Sequence, residues 1–160
     1  MKGIMRISVY AAMAVMLLTV ALVDPGAAKT KIRFNGFFQG VENDIAQGMT
    51  LLVDGSGTGL ATDLGQFTVT YNVTVNLATG QGIGSAHFIA ANGDSISTEL
   101  LGQGEPTDTP GISNIVEIDT VTGGTGQFAG ASGTITVDRL VDLATGFTSG
   151  SVSGKITTRD

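Results

Sequence analysis

The sequence predicts an all-β protein: an antiparallel up-and-down barrel of eight or nine strands, with a two-sheet sandwich as the alternative. Three observations carry that expectation. From Gln66 to Leu77, QFTVTYNVTVNL, the chain alternates strictly, with Phe67, Val69, Tyr71, Val73, Val75 and Leu77 apolar and every residue between them polar. A two-residue period describes a strand with one dry and one wet face, whereas a helix would scatter those side chains around its circumference. Glycine is abundant, 24 residues against 3 prolines, and clusters between apolar runs, as tight turns require. Thr, Val, Ile and Ser dominate the rest, which favours strands over helices. Many short strands joined by tight turns form a meander, and closing a meander removes its exposed edges.

The first 28 residues are expected to be a secretory leader. Lys2 and Arg6 precede an uncharged run from Ile7 to Val23, and DPGAA then offers Gly26 and Ala28 at the positions a signal peptidase reads. An uncleaved anchor is the rival reading, because the run approaches the shortest membrane span. Cleavage before Lys29 makes the protein secreted or periplasmic and leaves residues 29–160 as one domain, long enough to bury a core.

The strands follow in order. Segments 31–39, 48–53 and 57–62 are short candidates, with DGSGTG at 54–59 read as a turn. The alternating run 66–77 comes next. Asn92-Gly93 separates two strand-like runs, and both residues tolerate the positive φ of a two-residue type I′ hairpin. That register puts Ile89 opposite Ile96 and Ala86 opposite Glu99, so Phe88 and Glu99 share a face with small residues. Segment 102–111, GQGEPTDTPG, is expected as a surface loop, and 113–121 as a strand. The last two strands are 134–143 and 147–158. An internal echo, VNLATGQGIGS at 75–85 and VDLATGFTSGS at 141–151, marks two equivalent Leu-Ala-Thr-Gly turns.

The candidate chemistry is sparse. Without cysteine there is no disulfide and no thiol chemistry, so packing alone must hold the fold. In GGTGQFAGASG, Gly124, Gly126 and Ala129 match the spacing of a pyrophosphate-binding loop. A dinucleotide fingerprint must open a helix, but Ile135 and Val137 in the following TITVDRLVDL alternate as a strand does. DGSGTG at 54–59 begins like a calcium loop, yet its twelfth position is Gly65 rather than glutamate. His87 is the only histidine, too few for a zinc site or for a triad that also lacks its nucleophile elbow. Neither metal nor cofactor is expected. Beyond residue 28 the chain has thirteen acidic residues and six scattered basic ones, which argues against nucleic acid and anionic membrane surfaces as partners. Thr and Asn on the outward faces argue against a barrel that spans lipid. Glu99 has two readings: a solvated outer residue, or an inward carboxylate with a raised pKa, able to act as acid or base.

TGGTGQFAGASGTI (122–135), together with GTGLATDLGQF (57–67) and ANGD (91–94) in that order, resembles the allene oxide cyclase/dirigent barrel superfamily, and above all a group of secreted bacterial proteins of unknown function. The resemblance implies an eight-stranded barrel with a central cavity, often trimeric. Allene oxide cyclases close an epoxide-derived pentadienyl system inside the barrel, and dirigent proteins steer the coupling of phenoxy radicals without oxidising them. Only turn motifs match, so no catalytic residue carries over. Asp63 stands where the bacterial group often has a histidine. The expected function is binding of a small, mostly apolar molecule in the lumen, with Phe67, Tyr71, Phe88 and Glu99 lining it. A cofactor-independent cyclase or isomerase, with Glu99 as its buried ionisable group, is one alternative. An oligomeric barrel with a filled core is another. Whether the chain is an enzyme is left open.

Overall fold

The structure, a computed structural model, describes residues 29–159. The expected leader lies outside the described residues. Eight antiparallel strands close into one barrel, each hydrogen-bonded to the next and the last to the first. They are β1 (Lys29–Gln47), β2 (Thr50–Ala61), β3 (Gly65–Asn76), β4 (Gln81–Ala90), β5 (Ser95–Pro106), β6 (Ile112–Gly124), β7 (Ser132–Asp142) and β8 (Phe147–Arg159). The one helical piece among the described residues is a 3-10 turn, Gly126–Phe128. The barrel therefore replaces the sandwich alternative, and the count is eight.

The ninth strand disappears because residues 54–59 do not turn. They run straight through β2, and none of Gly55, Gly57 and Gly59 has positive φ. Their use is close approach. Gly55 pairs with Tyr71 and Gly59 with Phe67, and a Cβ at either glycine would run into the facing ring. Strand glycines without side chains thus make room for large inward aromatics. Half of the expected loop at 102–111 is strand: β5 continues to Pro106, pairing residues 102–106 with 113–117 of β6, and only 107–111 turn.

The turns explain the register. Gly48 and Met49 link β1 to β2, with Gly48 at φ 64. The two Leu-Ala-Thr-Gly turns match closely. Asn76 and Asp142 each accept a backbone N–H two residues on through a side-chain oxygen, and Gly80 and Gly146 close the turns at φ 72 and 70. The Asn92-Gly93 hairpin departs from expectation. Gly93 donates to the Ala90 carbonyl and Ala90 to that of Asp94, so the loop holds three residues. Only Gly93, at φ 90, is left-handed there. Such a turn, closed by a left-handed glycine, is the next commonest hairpin after the two-residue forms. It pairs Ala86 with Thr98 and Phe88 with Ile96. A shift of one residue exchanges the faces of a strand, so Thr98 rather than Glu99 points inward.

The glycine-rich segment after β6 is a cap. Phe128 is fully buried in one end of the barrel. Gly126 is left-handed and lies against the Asp94 carboxylate, which accepts the Gln127 N–H at 3.1 Å. Thr125 and Ser95 bind each other through backbone and side chain. The segment leads into strand β7, so the pyrophosphate-loop spacing at Gly124 belongs to a turn that docks on the ANGD hairpin. Asp63, the one non-glycine at positive φ among the described residues, has a comparable use: its carboxylate accepts the Arg33 N–H at 3.0 Å, while Thr62 bonds both backbone groups of β1 beside it.

Candidate functional site: a half-filled lumen with a buried ionic brace

Inward positions divide the lumen into three levels. At the capped end, Phe34, Phe67 and Phe88 form a cluster with ring centroids 5.4 to 6.1 Å apart. Phe128, Ile96, Ile135 and Ile156 fill the space around them, all at 0 % exposure. This half is a packed core.

The middle level is polar. Arg139 of β7 is 3 % exposed and binds carboxylates from two other strands. Nη1 donates to Glu42 Oε2 at 2.7 Å, while Nε and Nη2 donate to the two oxygens of Glu117 at 3.3 and 3.1 Å. Nη1 also donates to Thr148 Oγ1 at 3.1 Å. Tyr71 donates its hydroxyl to the same Glu42 oxygen at 3.0 Å, and the guanidinium carbon lies 5.1 Å from the Tyr71 ring centre, within cation–π reach. Residues of β1, β3, β6, β7 and β8 thus meet in the lumen. Burial lowers the tendency of Arg139 to hold its proton, but Glu117 and Glu42 outweigh it and bind the cation firmly. Tyr71 is raised above its ordinary value, first by burial.

Asp119 lies one inward position from Glu117 on β6 and is 1 % exposed. Thr98 donates to its Oδ2 at 2.9 Å, and its Oδ1 has no partner. Burial is the largest cause that raises its pKa to about 7; Glu117 adds to the shift, while the Thr98 hydrogen bond and Arg139 oppose it. A chamber of about 20 Å³ adjoins it, walled by Tyr71, Phe88, Leu100, Val137 and others. That is room for one water molecule.

The third level is the open end. A cavity of about 370 Å³ is walled by Leu51, Val53, Val73, Val75, Ile115 and Val141, with Glu42, Glu117 and Arg139 at its inner limit and Asp44 among its acidic lining. Arg139 and Glu117 line both this cavity and the small chamber, so the ion pair partitions them. Burial, and then Glu42, raises the Asp44 pKa, against the pull of Arg139. The brace holds one cation against two carboxylates before Asp119 is counted. It therefore disfavours an anionic guest and suits a neutral one that offers hydroxyl or carbonyl groups.

The residues expected to line a ligand site fall differently. Phe67 belongs to the packed end. Phe88 and Tyr71 border the small chamber, and Tyr71 also joins the brace. Glu99 is exposed on the outer wall, where it and His87 border a shallow polar depression. The open cavity is lined by none of the four. Glu42, Glu117, Asp119 and Arg139 escaped the sequence reading, although one signal was present. Arg139 shares its two-residue phase with Ile135, Val137 and Val141, an inward row that extends the alternation already visible there. Among the described residues no group of three or more His, Cys, Asp or Glu side chains could hold a metal ion.

No family model and no curated protein matches the sequence. Among solved structures, the chain is similar to the pterocarpan synthase dirigent protein GePTS1, with a TM-score of 0.60 over 94% of this chain and 98% of that one, at 14% identity. The likeness is one of fold alone: this chain forms a closed eight-stranded barrel similar to that of the dirigent protein.

Proposed function

We propose that the barrel admits a small, mostly apolar, uncharged molecule through its open end. Its hydrocarbon part lies against Leu51, Val53, Val73 and Val75, and a hydroxyl or carbonyl meets the Glu42–Arg139 edge. The observation that carries this reading is the apolar cavity of about 370 Å³ that ends on a buried, hydrogen-bonding ion cluster. Ligand sites combine mainly apolar walls with a few fixed polar groups in this way. The fold shared with a pterocarpan synthase supports the same direction.

Gly104 provides the test. It lines the cavity, lacks positive φ, and a Cβ there would make only ordinary contacts, the nearest at 3.8 Å. Gly104→Phe therefore fills the mouth without backbone strain. We expect saturable binding of the neutral fluorophore 1-aminoanthracene to the parent chain, weakened at least about tenfold in Gly104→Phe, with melting temperature unchanged. Equal binding to both proteins, or none to the parent, overturns the reading.

A second reading, cofactor-independent isomerisation or cyclisation, is favoured by Asp119 rather than Glu99. A carboxyl group that titrates near neutrality and keeps one oxygen unpartnered is suited to donate or accept a proton. Its reach to a guest requires the Arg139–Glu117 partition to part. Turnover lost in Asp119→Asn with fluorophore binding intact supports this reading, and unchanged turnover removes it.

The homotrimer implied by the family resemblance has a candidate surface. Ile83, Leu101 and Ile118 lie side by side on the outer wall of β4, β5 and β6, 63%, 59% and 46% exposed. Sedimentation velocity is expected to show a trimer that Leu101→Lys disperses; a parent that sediments as a monomer at high concentration removes it.

A further inference from the structure

The basic residues, scattered in the sequence, are not scattered in space. Arg139 is inside the barrel. The other five beyond residue 28 all fall on the β1–β8 seam near the capped end. Lys29, Lys31 and Arg33 occupy alternate positions of β1, and Lys155 and Arg159 lie four positions apart on β8, with Thr157 between them. The register places Lys29 opposite Arg159 and Arg33 opposite Lys155. Lys31, Arg33 and Lys155 are exposed. Among the described residues the only ion pairs are those of Arg139, so these three cations have no carboxylate partner. Asp63 is close, but its carboxylate is bound to the Arg33 backbone.

Like charges directly opposite on neighbouring strands destabilise a sheet, and this seam does nothing internally to relieve that cost. Beside it the outer wall is concave and lined by Arg33, Asn35, Thr134, Thr136, Ser153 and Lys155. These side chains offer two cations surrounded by hydroxyl and amide groups. Same-face residues of a strand repeat about every 6.8 Å and neighbouring strands lie about 4.8 Å apart, which gives a linear ladder of positive charge. Asp138, two positions beyond Thr136 on β7, bounds it.

We propose that this seam is a binding groove for a linear anionic polysaccharide, whose charged groups pair with Lys31, Arg33 and Lys155 and whose hydroxyls meet Asn35, Thr134, Thr136 and Ser153. The concavity has no aromatic side chain on which nucleic-acid bases could stack. A groove suits a chain better than a lipid plane, which surface-binding segments enter with an apolar wedge. The nearest such group, Phe37, belongs to a separate groove with Leu60 and Ile89. The clustering lets an acidic protein hold a polyanion on one face, contrary to what its net charge of −6 implies.

Heparin serves as the probe. The parent chain is expected to bind heparin at low salt and to release it as salt rises. The triple variant Lys31→Gln, Arg33→Gln, Lys155→Gln is expected to lose at least tenfold in affinity while 1-aminoanthracene binding is retained. Should the triple variant fold poorly, the single change Lys155→Gln is expected to weaken heparin binding and to raise the melting temperature by removing the like-charged pair. Absence of heparin binding, binding indifferent to these changes, or equal or tighter binding to phosphatidylglycerol vesicles or single-stranded DNA overturns the proposal.

Discussion

Arg139→Met will lose about 3–5 kcal/mol of folding stability and lower the melting temperature by ten degrees or more, roughly. The methionine has similar bulk, so the loss comes from charge. Glu42 and Glu117 would be left in the lumen without their cation, with side chains 2 % and 8 % exposed. A buried carboxylate stripped of its partner is far more costly than a buried pair is worth. The loss is a large part of the 5–15 kcal/mol that holds a typical domain together. A rescue separates this cause from lost packing. Arg139→Met combined with Glu42→Gln and Glu117→Gln removes the two carboxylates together with their cation and is expected to recover most of the stability. Urea unfolding measures both. Tyr71 is the only tyrosine beyond residue 28 in a chain without tryptophan, and it is bonded into the brace, so its fluorescence reports this site directly. A single variant that unfolds at the parent's midpoint, or a triple variant no better than the single, contradicts the account.

The same brace shows why the fold was legible in the sequence and its chemistry was not. Alternation from Phe67 to Val75 and the paired Leu-Ala-Thr-Gly turns are local signals. They act within one strand or one hairpin and predict an antiparallel meander, whereas the choice of barrel over sandwich is made by the long-range pairing of β1 with β8. The motifs that carried the family resemblance are equally structural. ANGD and GGTG dock on each other at the capped end, Thr62 and Asp63 clasp β1, and Phe67 joins the aromatic cluster. Their likeness therefore speaks of a capped barrel and not of its lumen. The brace is long-range by contrast: Glu42 and Arg139 are 97 residues apart. The phase of β6 is also ambiguous, since Val116 and Ile118 point outward while Glu117 and Asp119 point inward. Hydrophobicity alone would choose the opposite face. Glu99 was misplaced by one residue of register, because Asn-Gly suggests a two-residue loop where a left-handed Gly93 closes a three-residue one.

Asp119→Asn will flatten the pH dependence of stability between about pH 4 and pH 7. In the unfolded chain the carboxyl titrates at its ordinary value, 3.8, while in the barrel burial raises it to about 7. Between those values the native state holds a proton that the unfolded state has released. Stability then falls as pH rises across this window, and it levels off once both states are ionised. A shift of this size corresponds to a loss on the order of 4 kcal/mol from pH 4 to pH 8. Asp44, also raised by burial, acts with the same sign. Asp142 is lowered, first by the Ala144 N–H, so its contribution is lost only as the solution becomes more acid than the ordinary aspartate range. Asparagine keeps the shape and an oxygen for the Thr98 hydroxyl, and it has no proton to lose. The variant should therefore be more stable than the parent at pH 8 by a few kcal/mol, with the advantage shrinking towards zero at pH 4. Urea midpoints at pH 4, 6 and 8 suffice. A parent whose stability is level from pH 4 to pH 7 would mean that Asp119 is already ionised in the folded barrel, and the proton-transfer role given to it would go with that result.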